Sequence, residues 1–301
     1  MKRTLLIIGC GDIALRASSL LRDHYRLVGL CRRTEGLDQL RSHRITPILG
    51  DLDNLNSLSK IAGVAHAVLH LAPPPDRGTR DSRTAHLLTA LTKQSRSLGR
   101  MLPQQLVYIS TSGVYGDCGG ALIDENHPIN PQSDRAIRRV DAEGQLRGWG
   151  HRNRVNVSIL RVPGIYADDR LPLARLREGV AALIPGEDSY TNHIHADDLA
   201  LSMVAALRYG RPGRVYHICD DSELKMGEYF DLVADHFGLP HPPRIPRAEA
   251  QGRISPGMLS FMRESRRLTN TRMKDELHVS LRYPTVSDAL ALIPASHLES
   301  R

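Results

Sequence analysis

The chain has 301 residues, 41% of them hydrophobic, enough to bury a sizeable core as one large domain or a large one with a small one. Forty basic against 33 acidic side chains leave a net charge of +7, but aromatic residues make up only 4%, which disfavours a base-stacking nucleic-acid platform and leaves anionic small molecules as the simpler partners. No apolar run reaches the length of a membrane span, and residues 1–8 are too short and abruptly polar for a signal peptide, so a cytoplasmic protein is expected.

The chain opens on Thr4–Ile8, an apolar run of strand length. It stops at Gly9-Cys10-Gly11-Asp12-Ile13-Ala14, a G-x-G-x-x-A turn, and helical spacing follows at Ala14, Ala17, Leu20 and Leu21. Gly9 permits a tight turn, Gly11 lets a pyrophosphate approach the backbone, and the small Ala14 lets helix and strand pack closely. Asp12 and Ile13 begin a helix whose free N–H groups and dipole face the phosphates. This turn is the expected dinucleotide site.

Further strands are expected at Arg26–Cys31, Thr46–Leu49, His66–Leu71, Gln105–Ile109 and Val155–Leu160, with helices near 11–23, 54–62, 80–100 and 134–148. Strands alternating with helices predict a doubly wound parallel α/β sheet, a Rossmann fold. The second strand ends in Cys31-Arg32-Arg33, with no acid between His24 and Thr34 to hold a ribose 2′-hydroxyl. Arg32 and Arg33 instead suit a 2′-phosphate, which favours NADP over NAD.

After residue 161 the alternation loosens. A helix is expected near 170–183, then Asn192–Asp198 leading into a helix over Leu199–Leu207 with Asp198 as N-cap. A strand at Arg214–Cys219 and a helix at Met226–Phe237 follow. Pro240 to Pro246 reads as a linker or rigid loop, and helical portions close the chain at Arg272–Leu277 and Val286–Ile293. The expected division is a dinucleotide-binding domain over 1–164, to which 197–219 return, and a smaller substrate-binding cap over 165–301. Four widely spaced cysteines, Cys10, Cys31, Cys118 and Cys219, form no C-x-x-C pair, consistent with a reducing compartment and no structural metal.

At residues 106–117, LVYISTSGVYGD, the chain resembles the extended and atypical short-chain dehydrogenase/reductases, the NAD-dependent epimerase/dehydratase family. Gly50-Asp51-Leu52-Asp53, His70-Leu71-Ala72-Pro73-Pro74, Arg161–Tyr166, Asn192–Ala200 and Arg267–Arg272 agree with it in order and spacing. The resemblance implies that Asp51 and Leu52 contact adenine, and that Leu71, Ala72 and Pro73 wall the ribose and nicotinamide. It places Pro163 in a further cofactor-side turn and Ser110 on the cofactor side. Thr111 is the residue that orients the substrate oxygen.

The family's Tyr-x-x-x-Lys pair is absent. Arg135 stands at the tyrosine position and Arg139 at the lysine position, and no lysine in the chain has a tyrosine four residues before it. Arginine keeps its proton up to a pH above about 12, so Arg135 is no ordinary acid/base, while Arg139 keeps the capacity to hold ribose hydroxyls. Tyr115 is the candidate replacement proton donor, with Tyr166 behind it. Arg135 and Arg138 are candidate ligands for an anionic substrate, and His195 a candidate substrate-side contact. Arg263, Arg266, Arg267 and Arg272 form a second basic cluster near the cap. A phosphorylated or nucleotide-sugar substrate suits both clusters. His193-x-His195 has a metal-like spacing but no third ligand nearby, so no metal is expected.

Two functions follow. One is an NADP-dependent oxidoreductase or epimerase/dehydratase-like enzyme acting on a small, anionic hydroxyl or carbonyl compound. The other is a non-catalytic NADP-binding sensor or scaffold. The retained Ser110-Thr111 and glycine turn favour the first, and the missing pair the second. The resemblance also implies a homodimer through the helices near 80–100 and 134–148.

Overall fold

The computed structural model describes residues 2–93 and 101–294. The first half runs β1 (Arg3–Ile8), α1 (Asp12–Leu21), β2 (Tyr25–Cys31), α2 (Leu37–Ser42), β3 (Thr46–Leu49), β4 (Ala67–His70), α3 (Ser82–Thr92), β5 (Gln105–Thr111), β6 (Leu122–Ile123), α4 (Asp134–Asn153) and β7 (Asn156–Val162). It continues through β8 (Gly164–Tyr166), α5 (Leu173–Arg177), β9 (Ala182–Leu183), β10 (Tyr190–Thr191), β11 (His193–His195), α6 (Ala196–Tyr209), β12 (Val215–His217) and β13 (Leu224–Lys225). The last elements are α7 (Met226–Phe237), β14 (Arg244–Ile245), α8 (Pro256–Phe261), β15 (Arg267–Leu268), α9 (Thr271–Leu277) and α10 (Val286–Leu290).

Seven strands pair in parallel in the order β12-β7-β5-β4-β1-β2-β3. The sheet is covered on both faces, which is why its strands read as unbroken apolar runs. Leu5 and Ile7 of β1 face α1 and α6, packing with Ala14, Ala17, Leu199 and Met203. Leu6 and Ile8 face the other layer, with Leu87, Leu91, Leu146 and Trp149 of α3 and α4. A third apolar cluster joins Leu176, Leu183, Phe230, Val233, Ile245 and Leu290 outside the sheet. The strand order turns back on itself between β1 and β4, so a crevice opens at their C-terminal ends.

Several expectations are corrected. The span 170–183 is no single helix: Pro172 caps a short α5, Gly179 turns the chain at φ +62°, and Ala182–Leu183 is a strand. That strand pairs with Arg244–Ile245, so the proline-rich stretch carries an edge strand as well as a loop. Residues 55–61 form a 3-10 helix. The helix expected over 80–100 is α3 from Ser82 to Thr92, and residues 94–100 of that expectation lie outside the described residues. Helix α6 starts before Asp198, with His195 as its N-cap. Asp198 instead lies buried in the first turn, its carboxylate accepting from the N–H groups of Arg282 and Tyr283 at 2.8 and 2.9 Å.

Candidate active site

The glycine turn lies at the crevice. Gly9 has φ +90°, and a Cβ on it would stand 2.5 Å from the Ala72 nitrogen. That closeness comes from β4 pressing in, where the N–H groups of Leu71 and Ala72 both donate to the Ile8 carbonyl at 2.7 and 3.0 Å. Gly11 is different: a Cβ there would meet nothing within 4 Å. Open space in front of a bare backbone at the start of α1 is a cradle of the kind a pyrophosphate needs. Asp12 and Ile13 open that helix, and Ala14 is buried against the sheet. The Asp12 carboxylate holds Arg16 at 3.0 Å and Arg170 at 3.1 Å, tying α1 to the segment after β8.

Along the crevice, Asp51 accepts from the Asp53 N–H, and the Leu52 carbonyl accepts from His86 Nδ1 at 2.6 Å. Arg83 donates to the Pro73 and Pro74 carbonyls, both at 3.2 Å, and pairs with Asp53 at 2.7 Å, fixing the loop after β4. Arg32 and Arg33 are exposed beyond β2 and make no ion pair among the described residues. These residues fit a dinucleotide lying across the strand ends.

Next to the crevice is a cavity of about 460 Å3 between the sheet and the outer elements. Thr111, Arg135, Arg139 and Pro163 line it from the sheet side. Thr111 Oγ1 accepts from the Gly113 N–H at 3.2 Å, which leaves its own proton free to donate. Arg135 and Arg139, one turn apart on α4, reach the same wall because i and i+4 share a helix face. Arg139 donates to the Tyr108 hydroxyl at 3.0 Å and the Ile109 carbonyl at 2.7 Å. The Arg135 guanidinium lies 4.2 Å from the Phe261 ring centre, and burial, with the neighbouring Arg139, Arg266 and Arg138 charges, lowers its pKa.

Three expected site residues do not reach this cavity. Tyr115 is buried away from the cavity lining, and burial pushes its hydroxyl up to about 12. Its oxygen accepts from Arg161 at 2.7 Å and sits 2.6 Å from His217 Nε2, so it is a core hydrogen-bonding group and no proton donor to substrate. His195 caps α6, its Nδ1 accepting from the Asp197 N–H at 3.2 Å, with its ring against Tyr283 at 3.8 Å. Arg138 is buried and donates to the Gly78 carbonyl at 2.7 Å, so it braces the loop after β4 rather than a substrate. Ser110 is likewise buried, donating to Glu143 at 2.7 Å.

Other residues take the places left open. Arg266 is buried on the cavity wall, held by the Gly116 carbonyl at 2.7 Å and Glu264 at 3.0 Å. Of the second basic cluster it alone comes here: Arg267 turns to Glu223 at 3.1 Å, and Arg272 to the Val215 carbonyl and Asn126. Lining the outer side are His193, stacked on Tyr229 at 4.3 Å, and Tyr166, edge-on to His193 at 6.1 Å. Burial holds His193 neutral, down to about 3, and pushes both phenols up. His193 sits two residues from the histidine singled out above, on the same short strand; the period-two spacing marked both and gave no means to choose. No group of three potential metal ligands occurs among the described residues, and no described helix is long and apolar enough to cross a membrane.

Residues 16–219 match the model of the NAD dependent epimerase/dehydratase family. A dTDP-glucose 4,6-dehydratase of Streptomyces antibioticus is 25% identical over 154 residues, 48% of this chain and 46% of the relative. The chain thus spans about half the length of the first curated relatives it matches. A ketoreductase of Stigmatella aurantiaca that acts on 4-hydroxy-2-methyl-3-oxo-4-farnesyl-3,4-dihydroquinoline-1-oxide is 23% identical over 79% of this chain and 74% of its own. Among solved structures, a conserved protein of unknown function from Silicibacter pomeroyi DSS has a TM-score of 0.80 and 28% identity, covering 99% of this chain and all of the other. A UDP-glucuronic acid 4-epimerase from Bacillus cereus, in complex with UDP-glucuronic acid and NAD, has a TM-score of 0.74 and 20% identity, covering 96% of both chains.

Proposed function

The chain belongs to the NAD dependent epimerase/dehydratase family, and from that premise we propose that it is an oxidoreductase or epimerase-like enzyme acting on an anionic hydroxyl or carbonyl compound, a phosphorylated or nucleotide-sugar molecule being the best fit. The observation that carries this reading is the meeting of Thr111, Arg135 and Arg139 on one cavity wall at the C-terminal edge of the sheet. Arg170 and Arg266 add two more guanidiniums, and Glu264 is the one carboxylate on that wall. Four cations against one acid in a partly apolar cavity select for negative charge in the ligand.

Gly9, Gly11 and the start of α1 hold the pyrophosphate in this reading, with Asp51, Leu52, Leu71, Ala72 and Pro73 along the adenosine and nicotinamide path. A nicotinamide cofactor supplies or removes hydride when bound. Thr111 donates to the substrate oxygen. Arg135 donates to the same oxygen and stabilises negative charge on it, but takes no proton, because a guanidinium stays charged near neutral pH. His193, neutral, hydrogen-bonds the substrate without ionising, so the proton exchanges with water. Arg139, tied to Tyr108 and Ile109, holds ribose hydroxyls. Residues from the 165–266 stretch, apart from 197–219, supply the outer wall.

The structural neighbour described above holds NAD. Arg32 and Arg33 support the 2′-phosphorylated form for this chain, since each is exposed and without an ion pair among the described residues. Calorimetric titration with NADH, NADPH and NADP, with Arg32→Glu as control, separates the two. NADPH binding weakened in the variant supports the 2′-phosphate reading; equal NADH and NADPH binding, unchanged in the variant, rejects it. Binding of no dinucleotide overturns the enzyme reading and leaves the non-catalytic scaffold, which the arginines at positions 135 and 139 favour.

A further inference from the structure

A second cavity, of about 560 Å3, opens at the other end of the sheet, where β1, β2 and β3 begin and α1 ends. Its wall carries Lys2, Arg3, Arg22, Arg26 and Arg44 against one carboxylate, Asp23. None of these six charges forms an ion pair among the described residues, whereas Arg16, Arg41, Arg83 and Arg161 each have a carboxylate within 3.2 Å. Lys2 donates instead to the Arg22 carbonyl at 2.9 Å. The Thr4 N–H donates to His66 Nδ1 at 3.1 Å, so Nε2 of that ring, also on this wall, is left as the donor.

Gathering five cations in one concavity is unfavourable in the free protein, and a cleft lined by one sign of charge concentrates the opposite sign. Guanidinium forks match phosphate oxygens two at a time, and several arginines are better met by several phosphates than by one. The volume is that of a site for a nucleotide-sized molecule. Strand β1, six residues long, keeps this cavity roughly 20 Å from the glycine turn. We propose that the cavity binds a small polyanion with two or more phosphate groups, free polyphosphate or a nucleoside polyphosphate, at a site separate from the dinucleotide crevice. Such a ligand replaces the missing carboxylates, and it leaves Thr111 and Arg135 untouched.

The test is calorimetric titration of the full chain, saturated with whichever of NAD and NADP binds more tightly, with sodium tripolyphosphate and separately with ATP, at low and at physiological salt, a single-stranded oligonucleotide serving as the control. Tripolyphosphate and ATP are expected to bind at one site, more weakly as salt rises, and Arg26→Glu with Arg44→Glu should lower their affinity by about tenfold or more while affinity for that dinucleotide stays within about twofold. Equal affinity for the two ligands identifies the phosphate chain as what is recognised; tighter ATP binding adds the nucleoside. Where the charge reversals perturb folding, seen by circular dichroism, Arg26→Gln with Arg44→Gln reads the same effect at smaller size. The proposal is overturned if neither ligand binds, if binding is the same in the variants, or if only a single-stranded oligonucleotide binds, which would make this an extended nucleic-acid surface.

Discussion

The Tyr115 hydroxyl lies 2.6 Å from His217 Nε2, joining two residues 102 positions apart. His217 Nδ1 lies 3.0 Å from the Thr269 carbonyl, which only accepts, so Nδ1 carries the proton and Nε2 receives the one from Tyr115. The same phenol oxygen accepts from Arg161 at 2.7 Å. The tyrosine expected to serve chemistry is therefore fully engaged inside the core. Tyr115→Phe should lower folding stability by about 1–3 kcal/mol, because it leaves a buried imidazole nitrogen and a guanidinium N–H without partners. Dinucleotide affinity should not change. Urea unfolding beside a dinucleotide titration checks both; a stable variant with lost turnover would return Tyr115 to the chemistry.

Arg161 has its main partner in Glu143, with Nε at 3.1 Å from Oε1 and a terminal nitrogen at 2.8 Å from Oε2, both side chains buried. Glu143 also accepts from Ser110 at 2.7 Å. Glu143→Gln leaves a buried guanidinium with no countercharge inside the core, apart from its neutral partners. A loss of about 3–5 kcal/mol is expected, larger than for Tyr115→Phe. Chemical denaturation of the two variants side by side tests the ranking.

The two glycines of the turn should separate folding from binding. Gly9→Ala drives a Cβ against the Ala72 backbone at 2.5 Å in a positive-φ conformation, so a loss of about 3 kcal/mol or more is expected. Gly11→Ala meets no atom within 4 Å and has extended backbone at φ −84°, so the fold should keep its stability to within about 1 kcal/mol. Its methyl group fills the cradle instead, and dinucleotide affinity should fall by about tenfold or more. Equal dinucleotide affinity in Gly11→Ala and the parent would place the phosphates elsewhere.

The sheet was legible because its central strands, such as β1 and β4, are buried on two faces, and that leaves an apolar run such as Leu5-Leu6-Ile7-Ile8 with few competing interpretations. The helical period likewise carried Arg135 and Arg139 to one wall. The outer elements left no such trace: β9, β10, β13, β14 and β15 are two residues each, too short for any alternation to show. Tyr115, Arg138 and His195 were misplaced for one physical reason. Each is claimed by a partner distant in sequence or by a helix end, His217 for the first, Gly78 for the second, the start of α6 for the third. Glu264 and Arg266 enter the site through a contact with Gly116, 150 residues from Arg266, which local pattern does not encode.

Stability should fall on mild acidification, and Asp220 should oppose that fall. Burial holds His70, His193 and His217 down at about 3, against 6.5 for a free imidazole. Below 6.5 the unfolded chain binds protons that the folded chain refuses until about 3, so each group loses stability as pH drops through that window, by at most about 1.4 kcal/mol per pH unit. Asp220 runs the other way. Burial raises its carboxyl from 3.8 to about 7, so between those values the folded chain holds a proton that the unfolded chain has released, and its contribution improves as pH drops. Three groups outweigh one, so the urea midpoint should be lower at about pH 5 than at about pH 7.5. Asp220→Asn should raise the midpoint at the higher pH, by removing a carboxylate buried without enough partners, and should steepen the drop between the two. A midpoint that stays level in both proteins would mean that these imidazoles gain protons in the folded state with no loss of structure.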